Sequence, residues 1–169
     1  MANLGVFRDD FYNAINALPE SQSVNGPTGT GTLTAAQLTG AQEIMIAVGN
    51  GAAAAQTYTT DTAVNIIAQL QNAVATAVKA NVGGFASALG AVPPQGVPNL
   101  FNLSWTVSIS NQGTTAASTL AGGTGVTIAA VNAGMTAGNL ALGAPNAPVV
   151  TRYVVTVPSA NTVTFTRVQ

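Results

Sequence analysis

The amino-acid sequence predicts a mainly β domain, a sandwich or barrel, that carries one inserted α-helix and follows an N-terminal helical arm. Short runs of alternating polar and apolar residues fill residues 103–168, separated by glycine, proline and asparagine turns. A helical stripe of apolar residues covers about 61–80. The sequence therefore divides into a helical arm at 1–20, a Gly/Ser/Thr linker at 21–32 and a β-sandwich domain at 33–169.

The N-terminal arm is predicted from GVFRDDFYNAINALPE, residues 5–20. Pro19 ends an apolar pattern whose members recur three and four residues apart, as on one face of a helix: Phe7, Phe11, Ile15 and Leu18. Residues 21–32 show no periodicity and resemble a flexible linker. Two interpretations stay open, because such a helix either docks on a partner or folds back on the core of its own domain.

The inserted helix is predicted over about 61–80. Asp61 is placed as its N-cap, Lys79 complements the carboxyl end, and Asn81 with the glycines after it ends the helix. Its apolar stripe predicts packing on a sheet and consists of Ala63, Ile66, Ile67, Leu70, Val74, Ala77 and Val78.

The strands are predicted from a period of two. In NLFNLSWTVSISN, apolar residues from Leu103 to Ile109 alternate with polar ones, which indicates a strand with one solvated face. The runs RYVVTV (152–157) and NTVTFTRV (161–168) predict two strands joined by the turn PSAN. EIMIAV and TYTT predict two further strands, whereas the prolines of residues 82–99 predict a loop.

The glycine cluster LAGGTGVTI, residues 120–128, raises the question of a phosphate loop. Such a loop needs a lysine followed by Ser or Thr and a helix that opens behind the glycines. Here Val126, Thr127 and Ile128 follow instead, and β-branched residues favour a strand. We therefore predict that the glycines form a hairpin turn.

The composition is unusually poor in charge. Charged residues make up 5% of the chain, with a formal net charge of −1, against about 25% charged residues in an average soluble protein. A chain with so few basic residues is not expected to bind nucleic acid or an anionic membrane. A nearly neutral surface tends to self-associate, which favours a component of an assembly over an adhesive monomer.

No segment is predicted to span a membrane or to direct secretion. The run AVGNGAAAA, residues 47–55, is far shorter than the roughly 20 apolar residues of a spanning helix. The N-terminus MANLGVFRDD has acids where a signal peptide carries lysines. If the protein is found outside a cell, we expect that a particle carried it there.

The sequence argues against catalysis, metal binding and cofactors. It contains no histidine and no cysteine, which removes the usual general base and the usual zinc ligands. The adjacent Asp9 and Asp10 would point about 100° apart on a helix and do not face each other. A Glu43 and Asp61 pair assembled by folding stays open. Arg152 and Arg167, on the closing strands, predict either a contact to a partner's acid or a solvated pair at the sheet edge.

From residue 33 onwards the order of segments resembles a module of tailed-bacteriophage structural proteins. The resemblance rests on LTAAQLTGAQEI, WTVSISN, STLAGGTGVTIAAV and TRYVVTVPSANTVTFTRV. It is similar to capsid decoration, cement and head-fibre proteins and to tail appendage modules. The resemblance implies a jelly-roll-like β domain, an oligomer that is a homotrimer or a dimer, and binding to the major capsid protein on the outside of a virion. It brings no active site with it.

The first functional hypothesis is a structural cement protein, made in the host cytoplasm, whose arm docks between capsid subunits. Aromatic anchors of this kind carry much of the energy at protein interfaces. The candidate capsid-docking residues are Phe7, Arg8, Phe11, Tyr12 and Ile15.

The alternative is a recognition module of a head or tail fibre that binds a host glycan or receptor through loops 82–99 and 132–148. Binding residues concentrate in loops on rigid scaffolds. These loops offer Phe85 as their one aromatic residue, beside asparagine and glutamine, which ranks this hypothesis second.

Overall fold

The computed structural model describes ten strands and two helices within residues 23–25, 30–41, 43–46, 56–81, 100, 103–112, 117–140 and 149–168, with the backbone alone at 23–25 and 73–81. In chain order these elements are β1 (Ser23–Asn25), β2 (Gly31–Leu33), α1 (Ala35–Gly40), β3 (Glu43–Ile46), β4 (Thr57–Thr60), α2 (Ala63–Asn81), β5 (Ser104–Asn111), β6 (Ser118–Ala121), β7 (Val126–Ala130), β8 (Asn139–Leu140), β9 (Val149–Ser159) and β10 (Thr162–Arg167).

The strands form two sheets. The larger has six strands in the order β1-β3-β5-β9-β10-β7, and the smaller has four in the order β2-β4-β6-β8. From β1 to β9 the chain changes sheet after every strand, so each new strand in β1–β6 pairs in parallel with the strand two before it. β7 also pairs in parallel, with β10.

Three pairs of described strands are antiparallel: β5 with β9, β9 with β10, and β6 with β8. The pair of β9 and β10 is the hairpin that the sequence predicts across PSAN, and it places Phe165 opposite Val155. Because a tight turn joins antiparallel strands only, the other connections have to cross between the sheets.

One hydrophobic core is shared by both sheets and both helices. Along β9, Tyr153, Val155 and Val157 are buried while Arg152 is exposed, as the period of a strand with one covered face requires. The Trp105 indole N–H donates to the Leu38 carbonyl at 2.9 Å, which joins β5 to α1. The largest fully buried side chains include Tyr58, Tyr153, Phe165, Leu33, Leu38 and Ile44.

The prediction of a mainly β fold with an inserted helix is confirmed. That helix spans Ala63–Asn81, close to the predicted 61–80, and the first half of its predicted apolar stripe is buried: Ala63, Ile66, Ile67 and Leu70. The jelly-roll form is not confirmed. Jelly rolls consist of antiparallel strands, whereas five of the eight pairs of described strands are parallel.

Four elements differ from the sequence prediction. β1 and most of β2 lie inside the linker predicted at 21–32, and β8 lies in the loop predicted at 132–148. β1 pairs with β3 and β2 with β4 through their backbones, which needs no apolar periodicity. The helix α1 lies where no helix is predicted. Its Thr34 and Gln37 form a capping box, with the Thr34 hydroxyl accepting from the Gln37 N–H and the Gln37 side chain accepting from the Thr34 N–H.

Candidate functional site

The predicted capsid-docking residues lie outside the described residues, and so do the arm as a whole and loop 82–99. Of the second predicted binding loop, residues 132–140 are described. The described surface consists of the two sheets, their connections and this part of the loop.

The glycine cluster does not form a hairpin turn. It connects β6 in the smaller sheet to β7 in the larger one, so the prediction of a hairpin is wrong, because β7 pairs with β10 and not with β6. The Gly123 N–H donates to the Thr60 hydroxyl at 2.9 Å, and the Thr124 carbonyl accepts from Ala63 N–H at 2.9 Å. The Gly123 N–H is therefore engaged within the chain and is not available to bind a phosphate.

Asp61 joins the starts of both helices. One of its carboxylate oxygens accepts from Ala35 N–H at 3.0 Å, and the other accepts from the Thr62 N–H and the Asn65 side chain. Burial raises the pKa of Asp61, but the hydrogen bonds from Asn65, Ala35 and Thr62 outweigh burial and hold that pKa below its usual value.

The N-cap of α2 is Thr62 and not Asp61 as predicted. The Thr62 hydroxyl accepts from Asn65 N–H at 3.2 Å, the bond that defines an N-cap, while Asp61 reaches past it to α1. Glu43 lies at the first position of β3, opposite Ser108 of β5, and none of the hydrogen bonds described for Asp61 involves it. The described residues contain no group of three or more acidic side chains that could hold a metal ion.

The six-stranded sheet has an outer face, on the side away from the core. It consists of the side chains that alternate with the core residues of the strands, all of them exposed or partly exposed: Glu43, Met45, Ser104, Thr106, Ser108, Thr127, Ala129, Val150, Arg152, Val154, Thr156, Thr162, Thr164 and Thr166. Glu43 and Arg152 are its only charged members. Most of the face therefore consists of short side chains that end in hydroxyl or methyl groups.

One end of the outer face is apolar and open to solvent. Val131, which follows β7, is 59% exposed, and Val168, which follows β10, is 41% exposed. The bond from Val131 N–H to the Arg167 carbonyl places these two valines side by side. Isolated exposed valines are ordinary, but neighbouring ones on the edge of a sheet form a patch that a partner can cover.

Two side chains on the core side of the sheet, Tyr153 and Arg167, hold the loop that follows β7. The Tyr153 hydroxyl donates to the Ala137 carbonyl at 3.0 Å, and an Arg167 guanidinium N–H donates to the Thr136 carbonyl at 2.9 Å. Arg167 lies opposite Tyr153 in the register, on the core side, whereas Arg152 lies on the outer face. The two arginines therefore do not form the predicted pair, because neighbouring positions on a strand point to opposite faces.

Alkaline pH is expected to loosen this loop through Tyr153. Burial raises the pKa of Tyr153 to about 12, from the ordinary tyrosine value of 10.0, although the nearby positive charge of Arg167 acts to lower it. A raised folded-state pKa stabilises the fold below pH 10 and loses that contribution as the pH rises towards 12, by about 2 to 3 kcal/mol in all. Urea unfolding at pH values from 9 to 12, which span this shift, measures the loss of free energy of unfolding. In Tyr153→Phe the loss should be much smaller, and an equal loss in both proteins would assign it to other groups.

Comparison with protein-family models, with curated proteins and with solved structures gives no match for this chain. Within the described residues, no helix is long and apolar enough to cross a membrane.

Proposed function

We propose that this chain is a structural virion protein that binds the outside of a tailed-bacteriophage capsid and stabilises it. Its partner is the major capsid protein, which the N-terminal arm contacts, and the β domain associates with further copies of itself. The proposal needs an oligomeric β domain with an adhesive surface, and it does not depend on jelly-roll topology.

The observation that carries the proposal is the outer face. A broad sheet surface with Glu43 and Arg152 as its only charges has little to repel a neighbouring protein, and its hydroxyl and methyl groups cost little side-chain entropy when they become ordered. Proteins that work alone in solution usually carry several times more surface charge. A shell protein repeated in many copies gains total affinity from many small contacts of this kind.

The arm supplies the second part of the proposal. Phe7 and Phe11, four residues apart in the sequence and on one face of the predicted helix, are large apolar side chains, and Arg8 offers a charge to an acidic neighbour. An anchor on a separate segment leaves the β domain free to contact other copies on the surface of the shell.

Deletion of residues 1–20 is expected to abolish attachment to the capsid and to leave the β domain folded. The full chain should sediment with empty shells of the major capsid protein of the same phage at a fixed ratio, while the truncated chain stays in solution. Circular dichroism and thermal unfolding of the truncated chain establish that its β domain is intact.

A matched pair of substitutions separates the anchors from the arm in general. Phe11→Ser removes an aromatic group from the apolar stripe and should weaken co-sedimentation at least about tenfold, as expected for a hot-spot residue. Asn13→Ser changes the opposite side of the predicted helix and should have no effect. Co-sedimentation of the truncated chain would contradict the role of the arm. Failure of the full chain to bind shells would contradict decoration and favour the recognition module, which binding to host cell envelopes then tests.

A further inference from the structure

The outer edge of β7 carries backbone groups that point away from its sheet. Gly125 carbonyl accepts from Val163 N–H, and Val131 N–H donates to the Arg167 carbonyl, so the odd-numbered residues of this segment face β10. The N–H and C=O of one residue in a strand point to the same side, and successive residues alternate. The backbone groups of Val126, Ile128 and Ala130 therefore face outward.

In two of these three residues the outward backbone N–H and C=O groups are free to bind a partner. Val126 N–H donates to the Gly123 carbonyl, and the Val126 carbonyl lies against Gly122, whose added Cβ would come within 2.3 Å of it. For Ile128 and Ala130, the outward N–H and C=O have no hydrogen-bond partner in the part of the chain that the structure describes. Four backbone groups, the N–H and C=O of Ile128 and of Ala130, are thus able to pair with a neighbouring strand.

The sequence of β7 lacks the features that normally protect such an edge. Natural edge strands carry a lysine, a proline, a bulge or an inward-pointing charge that prevents pairing with another chain. The strand Val126–Ala130 reads VTIAA, with no charge and no proline, and its register with β10 is regular over five residue pairs. An edge without protection in a nearly neutral chain is suited to a partner strand.

We propose that this edge binds the same edge of a second copy, antiparallel and across a two-fold axis, so that two six-stranded sheets join into one. In this register Ile128 of each copy lies opposite Ala130 of the other. Each such pair exchanges two N–H to C=O bonds, which gives four bonds and uses all the open groups. At the two-fold axis, Ala129 of one copy lies opposite Ala129 of the other.

The side chains around the two-fold axis favour a second copy of this chain as the partner. Ala129 is small and uncharged, so two copies of it can approach each other closely in a pair without hydrogen bonds. The next pair on the outer face places Val131, 59% exposed, opposite Thr127 of the second copy, so that an exposed valine becomes covered. An edge that is neutral and self-complementary in its hydrogen bonds fits a two-fold dimer, the commonest symmetry among soluble oligomers. The proposal is independent of capsid binding.

The test is the oligomeric state of the full chain, measured by sedimentation equilibrium in the absence of capsid. We expect a dimer that dissociates on dilution. Ala129→Lys places like charges against each other at the axis and should raise the dissociation constant at least roughly tenfold, while Ala129→Ser, at the same position without a charge, should leave it unchanged within about twofold. An equal mixture of Ala129→Lys and Ala129→Glu should restore association, because opposite charges then meet.

A second variant tests the hydrogen bonds. Ala130→Pro removes an outward N–H and leaves the bonds to β10 in place, so it should weaken the dimer in a chain that stays folded by circular dichroism. A monomer or a three-fold trimer as the native state would overturn the proposal, as would a dimer that Ala129→Lys does not weaken or a mixture that does not restore pairing. Failure of capsid binding alone would leave the dimer, and hence this proposal, intact.

Discussion

Replacement of Gly123 by alanine is expected to lower the free energy of unfolding by about 3 kcal/mol, the upper part of the range for overpacking. A Cβ built on Gly123 comes within 2.4 Å of the Thr60 carbonyl oxygen and 2.7 Å of the Asp61 carbonyl oxygen. Both obstacles are backbone atoms, held in place by the Asp61 N–H bond to the Leu33 carbonyl and by the start of α2. The connection between the sheets must therefore move as a whole to admit one methyl group.

The matched control is Gly134→Ala, in the loop after β7. No atom lies within 4 Å of the Cβ that this change would add, and exposed positions of this kind usually change stability by less than about 0.5 kcal/mol. Urea unfolding of the two variants and the parent, followed by tryptophan fluorescence of Trp105, measures the difference. Equal stability of the two variants would show that the connection near Gly123 is not as close to Thr60 and Asp61 as described.

Phe165→Ala is expected to destabilise the fold by about 3 to 5 kcal/mol, as large cavities in cores do. The Phe165 side chain is fully buried on β10 and meets the ring of Tyr153 edge to face, with ring centroids 6.2 Å apart. Its position in the shared core means that the cavity affects both sheets. A loss of this size approaches the whole stability of many domains, so the variant should unfold at markedly lower temperature.

The neighbouring position provides the control for Phe165→Ala. Thr164 lies on the outer face, and Thr164→Ala should cost less than about 1 kcal/mol, the span of β propensity. A shift of the β10 register by one residue would exchange the two side chains between the faces. Thermal unfolding that showed the larger loss for Thr164→Ala would therefore contradict the described register.

The sequence predicts the parts of the fold that depend on local pattern. The alternation around Val107 and the turn between β9 and β10 are such features, and both are found as predicted. The helix α1 is missed although TAAQ carries the S/T-x-x-E/Q signal of a capping box, because the segment is short and leads directly into an apolar strand.

The order of strands could not be predicted in the same way. A glycine turn between two short strands favours a hairpin locally, and only the pairing of β7 with β10, set by contacts distant in sequence, makes it a connection between sheets. The same holds for Asp61, whose bond to Ala35 spans 26 positions and is invisible to a capping rule. Alternation in SWTVS and TVTFT predicts which side chains lie on the outer face. It does not predict which strands pair with each other in the sheet.

The alternation of the chain between two sheets has a consequence for synthesis on the ribosome. From β3 to β6, each strand that emerges finds its parallel neighbour already made, two strands earlier. β7 is the exception, because β10 is its sole strand neighbour among the described elements and is translated only when residue 167 is reached. Until β10 has left the ribosome and paired, β7 has no strand neighbour on either edge. Partly folded chains in which β10 is not yet in place are therefore expected to be the species most prone to aggregation.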